Sequence, residues 1–472
     1  MQLLEAVELS AMREAEIPLP AWCPERLRRV ALKFRRGTST GPDWLRVRHV
    51  ADLSQGALQA LCKIFERIEG VARWPSQLRS VIEVALPKKT GGARLIGVAP
   101  SIYRIWARMR YLDVRIILEK RLERPTLAAA PGRGASRTAL EAAFATEAAI
   151  ARGWVAASTA VDMKQFYEHI EVSEFVAAAQ EVGIPRQLVL LAAHFYLGPR
   201  RLRVGGAFSR PIPPGRGIVA GCTWCTVLIR VLCLKPLDAL TKQLRQWEGT
   251  WDVVFVFRLY VDDGMISTMG PRHIVEMLHS WASKFLVEWV QGMLNKIVSR
   301  AKLQCTASDA GLRKALRCSL GPVGFKVTKD IDLLGVDATA GGRFQRRNQM
   351  SKRLRRAWQR RGRLTWWRNR GGDLPHVLKG GIEPSVTHGG EVTGIPPHVQ
   401  RSLRRLFGIS NRVQCKGTSL TSKLALAGPH FEDADILITH LAPPLRSLLC
   451  LLWTGLSIVF LSLLRGAKRA AR

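Results

Sequence analysis

At 472 residues with 47% hydrophobic content, the chain is long enough for several lobes around packed cores, which excludes global disorder. Its 72 Lys+Arg against 37 Asp+Glu leave a formal net charge of +35, spread along the sequence rather than gathered in one tail. A surface of that sign attracts polyanions, nucleic acid first and anionic membrane second, and solubility alone seldom needs so much charge of one kind.

The first 18 residues carry acids and no basic n-region, so they do not read as a signal peptide. Leu58, Leu61, Phe65 and Ile68 recur at helical spacing and predict a helix over 52–69, capped at Asp52 or Ser54. VIEVALP (81–87) and ARLIGV (93–98) predict two strands around the basic turn KKTGG. The run SIYRIWARMRYLDVRIILEKRLE predicts a long basic helix, PGRGAS (131–136) a loop, and Thr138 to Ile150 an Ala-rich helix. Trp154 to Val161 predicts a strand ending on Asp162. VSEFVAAAQEVG and PRQLVLLAAHFYLG predict two helices, and the chain turns helical again after the glycines of GIVAGCTW. VVFVFRLYVDDGMIST predicts two short strands around a turn at Asp262–Gly264, followed by a helix from Pro271 to Met293 and a short strand at DLLGVD (332–337). From Arg343 to Arg370 there are 12 Lys/Arg and no acid, with Trp358, Trp366 and Trp367 interleaved. Packing is the expected job of those tryptophans, and phosphate contact that of several arginines.

Nine scattered cysteines show no disulfide framework and point to a reducing compartment. Cys222 and Cys225 have CxxC spacing but no second pair for zinc, so a packed turn is expected. Leu448 to Leu464 is an uncharged run of 17 residues flanked by Arg446 and Arg465. That length is at the short limit for a bilayer span. A buried terminal helix is the favoured reading, with membrane contact through 448–464 as the alternative.

The chemistry concentrates in FRLYVDDGMI (257–266), where Asp262 and Asp263 adjoin inside an apolar segment. Ionised carboxylates are costly to desolvate unless protonated, paired with cations or bound to metal. Asp162, at the end of another apolar run, supplies a third acid. Three carboxylates on neighbouring strands suit hard divalent ions such as Mg2+, which prefer oxygen ligands. Two such ions can activate a 3′-hydroxyl and stabilise a leaving pyrophosphate. Strict alternation along a strand would send Asp262 and Asp263 to opposite faces, so one of them should dominate; Asp262 is favoured.

With those residues in view, the sequence resembles the reverse transcriptases of the non-LTR (LINE-type) retrotransposon family. Tyr260-Val261-Asp262-Asp263 matches the YxDD box, and Asp162 with Tyr167 matches the upstream aspartate–aromatic box. Gly41-Pro42-Asp43, Trp74-Pro75, LPKKTGGARLIGVAPSIYRIWAR, PGRGASRTALEA, GIVAGCTW and LLGV resemble further family segments in the same order, over about residues 40–370.

The resemblance implies an α+β right-hand polymerase: fingers, a palm with an antiparallel sheet, and a helical basic thumb. Expected boundaries are an N-terminal helical region over 1–75, fingers over 76–155, palm over 156–340 with part of the fingers inserted, thumb over 341–415, and a tail with a hydrophobic helix over 416–472. It implies RNA-directed DNA polymerase activity that extends a DNA primer with dNTPs on an RNA template, with Mg2+ as cofactor and Mn2+ as a substitute. Asp162, Asp262 and Asp263 would hold metal together with the backbone carbonyl of Met163. Lys302 would protonate the leaving pyrophosphate, with Lys296 as its competitor. Lys88, Lys89, Arg94, Tyr167 and Gly221 would bind the nucleotide, Tyr167 excluding a 2′-hydroxyl. Arg104, Arg133, Arg353, Arg356, Trp358 and Arg360 would contact nucleic acid.

The glycine box departs from the family: Ala220 stands where glutamine precedes the second glycine, and Thr-Trp-Cys replaces Ser-Pro. A lost amide side chain bears on template–nucleotide contacts rather than on catalysis itself. It keeps open a second reading, a catalytically inactive or domesticated nucleic-acid-binding relative, against which the three carboxylates argue. No CCHC knuckle, RNase H block or endonuclease segment is visible, which leaves three readings open: a fragment of an element, a domesticated copy, or the partner of a separate endonuclease. The expected setting is intracellular, in the nucleus.

Overall fold

A computed structural model describes residues 17–88, 92–341 and 348–408. The chain divides into two compact units. The first takes the described residues within 1–129, 163–240 and 293–297; the second takes those within 130–162, 241–292 and 298–472.

In the first unit the sheet order is β2-β1-β4-β5, from β1 (Val81–Pro87), β2 (Ala93–Val98), β4 (Arg200–Val204) and β5 (Ala207–Phe208). The first two strands pair antiparallel from Ile82↔Val98 to Pro87↔Ala93, and β4 joins β1 in parallel. Helices Gln55–Val71, Ser101–Arg121, Val172–Glu181 and Arg186–Tyr196 belong to the same unit. Ser54 caps the first of them, its side chain accepting from the Ala57 N–H. The GPD element has a structural role. The Asp43 carboxylate accepts from the backbone N–H groups of Ser101 and Ile102, capping a helix that starts 58 residues downstream. Arg110, buried within that helix, pairs with Glu69 and Asp113. Cys222 and Cys225 are buried, with the Cys222 thiol 3.4 Å from the Tyr103 hydroxyl.

The second unit is built on a five-stranded sheet of order β6-β7-β3-β8-β9. Its strands are β3 (Val155–Asp162), β6 (Val254–Tyr260), β7 (Asp263–Gly270), β8 (Gln304–Ala307) and β9 (Lys326–Val327). All pairings are antiparallel except β8 with β9. Side chains alternate between the faces of a strand. Ala156, Val256 and Met269 therefore meet Ala145 and Ala149 of the helix Ala135–Ile150. Thr159 and Thr268 point the other way, to His279 on the helix Arg272–Gly292. The alanines of VAASTAV on one side and ALEAAFATEAAI on the other let helix and sheet approach closely.

The segment DLLGVD differs from its predicted single strand. It forms a hairpin of β10 (Ile331–Leu333) and β11 (Val336–Ala338), with Leu334 at φ 52° and Gly335 at φ 82° in the turn. Residues 348–408 are helical, from Asn348–Gln359 to Pro397–Gly408, around Met350, Leu364, Leu374, Leu378, Leu403 and Phe407. Among the described residues no helix is long and apolar enough to cross a membrane, and the run 448–464 lies outside them.

Candidate active site

The apolar β6 and β7 are joined by Val261 and Asp262 alone, so Tyr260 pairs with Asp263 across a two-residue turn. Val261 sits at φ 59°. A β-branched residue rarely takes that conformation, and strain of this kind costs on the order of 1–3 kcal/mol. Asp262 lies in the turn, outside the ladder, so the expected alternation does not govern it. Asp263 is the residue the ladder fixes: it stands directly opposite Asp162 at the end of β3. By strand alternation this pair shares a face with Ser158 and Ser267, which bond to each other at 2.8 Å.

Asp162 and Asp263 line a cleft of about 250 Å³ together with Lys302, Gln304, Asp332, Leu334 and Gly335. Burial pushes the Asp263 carboxyl up to about 7; the charges of Asp262 and Asp162 push the same way and Lys302 opposes them. Lys302 closes a short turn, Arg300–Lys302, that precedes β8. The Ser299 N–H donates to the Asp162 carbonyl and fixes that turn beside the end of β3. The Lys302 ammonium then lies 2.5 Å from the Asp162 carboxylate, with 61% of its side chain exposed against 16% for the aspartate. Its competitor Lys296 is buried in the first unit, ion-paired with Glu174 at 2.8 Å.

Asp332 was not among the sequence-predicted residues. The β10–β11 turn brings it to the cleft, where its charge adds to the repulsion on Asp263. The Gln304 side-chain oxygen accepts from the Asp332 N–H, and the Gln349 amide donates to its carboxylate. The readable signal is the acid two residues ahead of Leu334-Gly335, the pair that turns the hairpin.

The donor set fits a hard divalent cation. Asp162, Asp262 and Asp263 offer carboxylate oxygens, and their mutual repulsion is what a bound cation would relieve. The Lys302 ammonium pairs with one of the three, Asp162. Among the described residues no three His, Cys, Asp or Glu side chains form a metal-ready group.

The first unit carries the residues expected to handle the nucleotide. Lys88 and Arg94 are exposed on the β1–β2 hairpin, Arg94 opposite Leu86; Lys89 lies outside the described residues. Met163 is buried. Phe166 is core, whereas Tyr167 is half-buried in a short turn whose carbonyl accepts from the Ile218 N–H. Gly217 and Gly221 adopt φ 92° and 94°. A side chain on Gly217 would press on the backbone of Glu168, so that glycine serves a close approach of two chain segments. Arg104 turns inward to the Ser39 carbonyl and the Ser101 hydroxyl.

In the second unit, the side chain of Arg133 is close enough to Arg258 for their charges to repel. Arg353 donates to the carbonyls of Gly335 and His388. Trp358 packs on the helical core and donates to the Ser402 hydroxyl at 2.7 Å. Arg356 and Arg360 are exposed.

No family model matches the chain, and no curated protein matches it by sequence. Among solved structures it is similar to apo telomerase from Candida tropicalis truncated from its C-terminal domain. Identity is 14% and TM-score 0.40, over 61% of this chain and 60% of that one. Telomerase from Candida albicans in complex with the TWJ fragment of telomeric RNA is 12% identical, with TM-score 0.38 over 80% of this chain and 69% of that one. The corresponding Candida tropicalis complex is 11% identical, with TM-score 0.41 over 78% and 68%.

Proposed function

We propose that the chain is an RNA-directed DNA polymerase of the non-LTR type, extending a primer 3′ end with dNTPs on an RNA template. The observation that carries this reading is the register of Asp162 against Asp263, with Asp262 one residue away in the turn. Like charges placed directly opposite on a sheet weaken it, so such a pair is kept for what it binds.

Asp162, Asp262 and Asp263 are the residues that would hold divalent cations, Mg2+ or Mn2+, with the Met163 carbonyl as an added ligand. When bound, such ions supply activation of the 3′-hydroxyl and neutralisation of the pyrophosphate charge. The remaining work falls to the chain's own groups. Lys302 holds a proton at Nζ beside the cleft and gives it to the departing pyrophosphate oxygen. Lys88, Lys89 and Arg94 receive the triphosphate, Gly221 leaves room for backbone approach, and Tyr167 excludes a 2′-hydroxyl. Arg133, Arg356 and Arg360 contact primer–template phosphates. Arg104, Arg353 and Trp358 support those surfaces from within through the bonds described above. A separate endonuclease would supply the primer end, in the nucleus.

Primer extension on an RNA template with Mg2+ or Mn2+ tests this. Dideoxy-terminable dNTP incorporation is expected, abolished by Asp162→Ala and by Asp262→Ala; full activity in either variant overturns the assignment. Equal use of rNTPs removes the gate role from Tyr167. The Lys302–Asp162 ion pair and Ala220 favour a second reading, an idle nucleic-acid-binding relative. It predicts hybrid binding with no extension by the wild-type chain under any divalent ion.

A further inference from the structure

The helices of the second unit hold a groove of which the polymerase reading uses only Arg360, at its rim. The helix Arg361–Asn369 carries Trp366, Trp367 and Arg368 in its last turn, and a turn at Gly371 leads to Leu374–Val377. Between these elements lies an open cavity of about 820 Å³ lined by Arg360, Arg363, Trp366, Trp367, Val377 and Ile382. That volume is within the range that accepts a nucleotide-sized ligand.

The two tryptophans do not pack as the sequence reading expected. Trp366 is 53% exposed and Trp367 46% exposed, their rings 6.5 Å apart and 26° from parallel. Both are held in place. The Arg370 guanidinium sits 4.0 Å over the Trp366 ring. Gly372 lies so close under the Trp367 indole that even a methyl group there would collide with it. Indoles fixed on one side and open on the other are rigid surfaces for a flat partner.

Charge identifies the partner. Residues 348–370 carry nine Lys/Arg and no acid. Arg360, Arg363 and Trp367 recur at three- and four-residue spacing, so they share one helix face. Cations beside open indoles match a strand whose bases are unpaired, with phosphates on the arginines and bases on the rings. A duplex hides its base faces, and an apolar peptide segment has no use for the arginines.

We propose that this groove binds unpaired nucleic acid, stacking bases on Trp366 and Trp367 and holding phosphates on Arg360 and Arg363. The proposal concerns a site separate from the acidic cleft and stands whether or not the chain polymerises.

Fluorescence anisotropy of the full chain with labelled 12-mers of U and of dT, beside a matched RNA–DNA hybrid, tests it. Trp366→Ala and Trp367→Ala should each weaken single-strand binding about tenfold, with little change for the hybrid. Arg360→Gln with Arg363→Gln should lower the slope of log affinity against log salt by about 1.4 for single strands. Trp366→Phe with Trp367→Phe, which retains flat rings, should recover most of the affinity. Circular dichroism melting confirms that each variant is folded. Equal losses on strand and hybrid in the tryptophan variants would overturn the proposal. So would unchanged strand binding in the tryptophan variants, including the case where those variants alter only the oligomeric state and so reveal a protein-docking groove. Asp162→Ala should abolish extension without moving strand affinity, which separates failure of this site from failure of the polymerase reading.

Discussion

Two points on one face of one ladder behave in opposite ways. At Ser158↔Ser267 the strands β3 and β7 carry a buried hydroxyl pair that bonds at 2.8 Å. Four residues on, at Asp162↔Asp263, the same strands oppose two carboxylates, and burial with neighbouring acids pushes Asp263 up to about 7. Behind the first point, on the other face, Thr159 bonds to both His279 and Ser283, and His279 also meets Thr268, all buried. The middle of the sheet satisfies every one of these polar groups, as a stable core requires. Its end leaves like charges facing each other, tempered by Lys302. A fold that satisfies its polar groups in one place and opposes like charges a turn away departs from consistency at the second place, which is where we propose binding.

The comparison can be broken most sharply at Asp263. Asp263→Asn keeps the shape and removes the charge, and it should cut primer extension by about 10³-fold or more, equivalent to roughly 4 kcal/mol of barrier. Ser267→Ala, on the same face, should leave extension within a few-fold of wild type. A smaller effect belongs to the sheet interior. Burial lowers His279 to about 3 from an ordinary 6.5. Below pH 6.5 the unfolded chain takes up a proton that the folded one refuses, so stability falls as pH drops through that window. The loss from this group is about 2 kcal/mol between pH 7 and pH 5. Denaturant melts at the two pH values should show it, and His279→Gln should flatten that part of the slope. The smallest effect is the reverse of a loss. In chelator at pH 8, Asp263→Asn should raise unfolding stability by about 1 kcal/mol, because it relieves opposed charges. A wild-type chain more stable than this variant under those conditions would show that the ladder end is not strained by charge.

Much of this was legible in the sequence where local pattern and position agree. VIEVALP and ARLIGV form β1 and β2 over the predicted residues, because a glycine-containing basic turn separates two short apolar runs. The strand before Asp162 and the two strands around Asp262 were legible for the same reason, and so was the gathering of their carboxylates at one sheet end. What escaped depends on distance in the chain. Nothing local to Asp43 says that it caps a helix 58 residues away. Asp332 reaches the cleft only because Leu334 and Gly335 reverse the chain, which an apolar LLGV pattern hides. The three tryptophans of the basic stretch read alike in sequence. Trp358 packs on the helical core, whereas Trp366 and Trp367 stand open, and only the placement of neighbouring helices separates them.

The central proposal is that the opposed aspartates, when loaded, would hold a divalent cation. Mn2+ binding followed by electron paramagnetic resonance tests it most directly, on the wild-type chain and on Asp162→Asn and Asp263→Asn. The account predicts bound Mn2+ in the wild type, displaced by excess Mg2+ and lost in both variants. Wild-type chain that leaves all Mn2+ free, or variants that bind it as the wild type does, would contradict it.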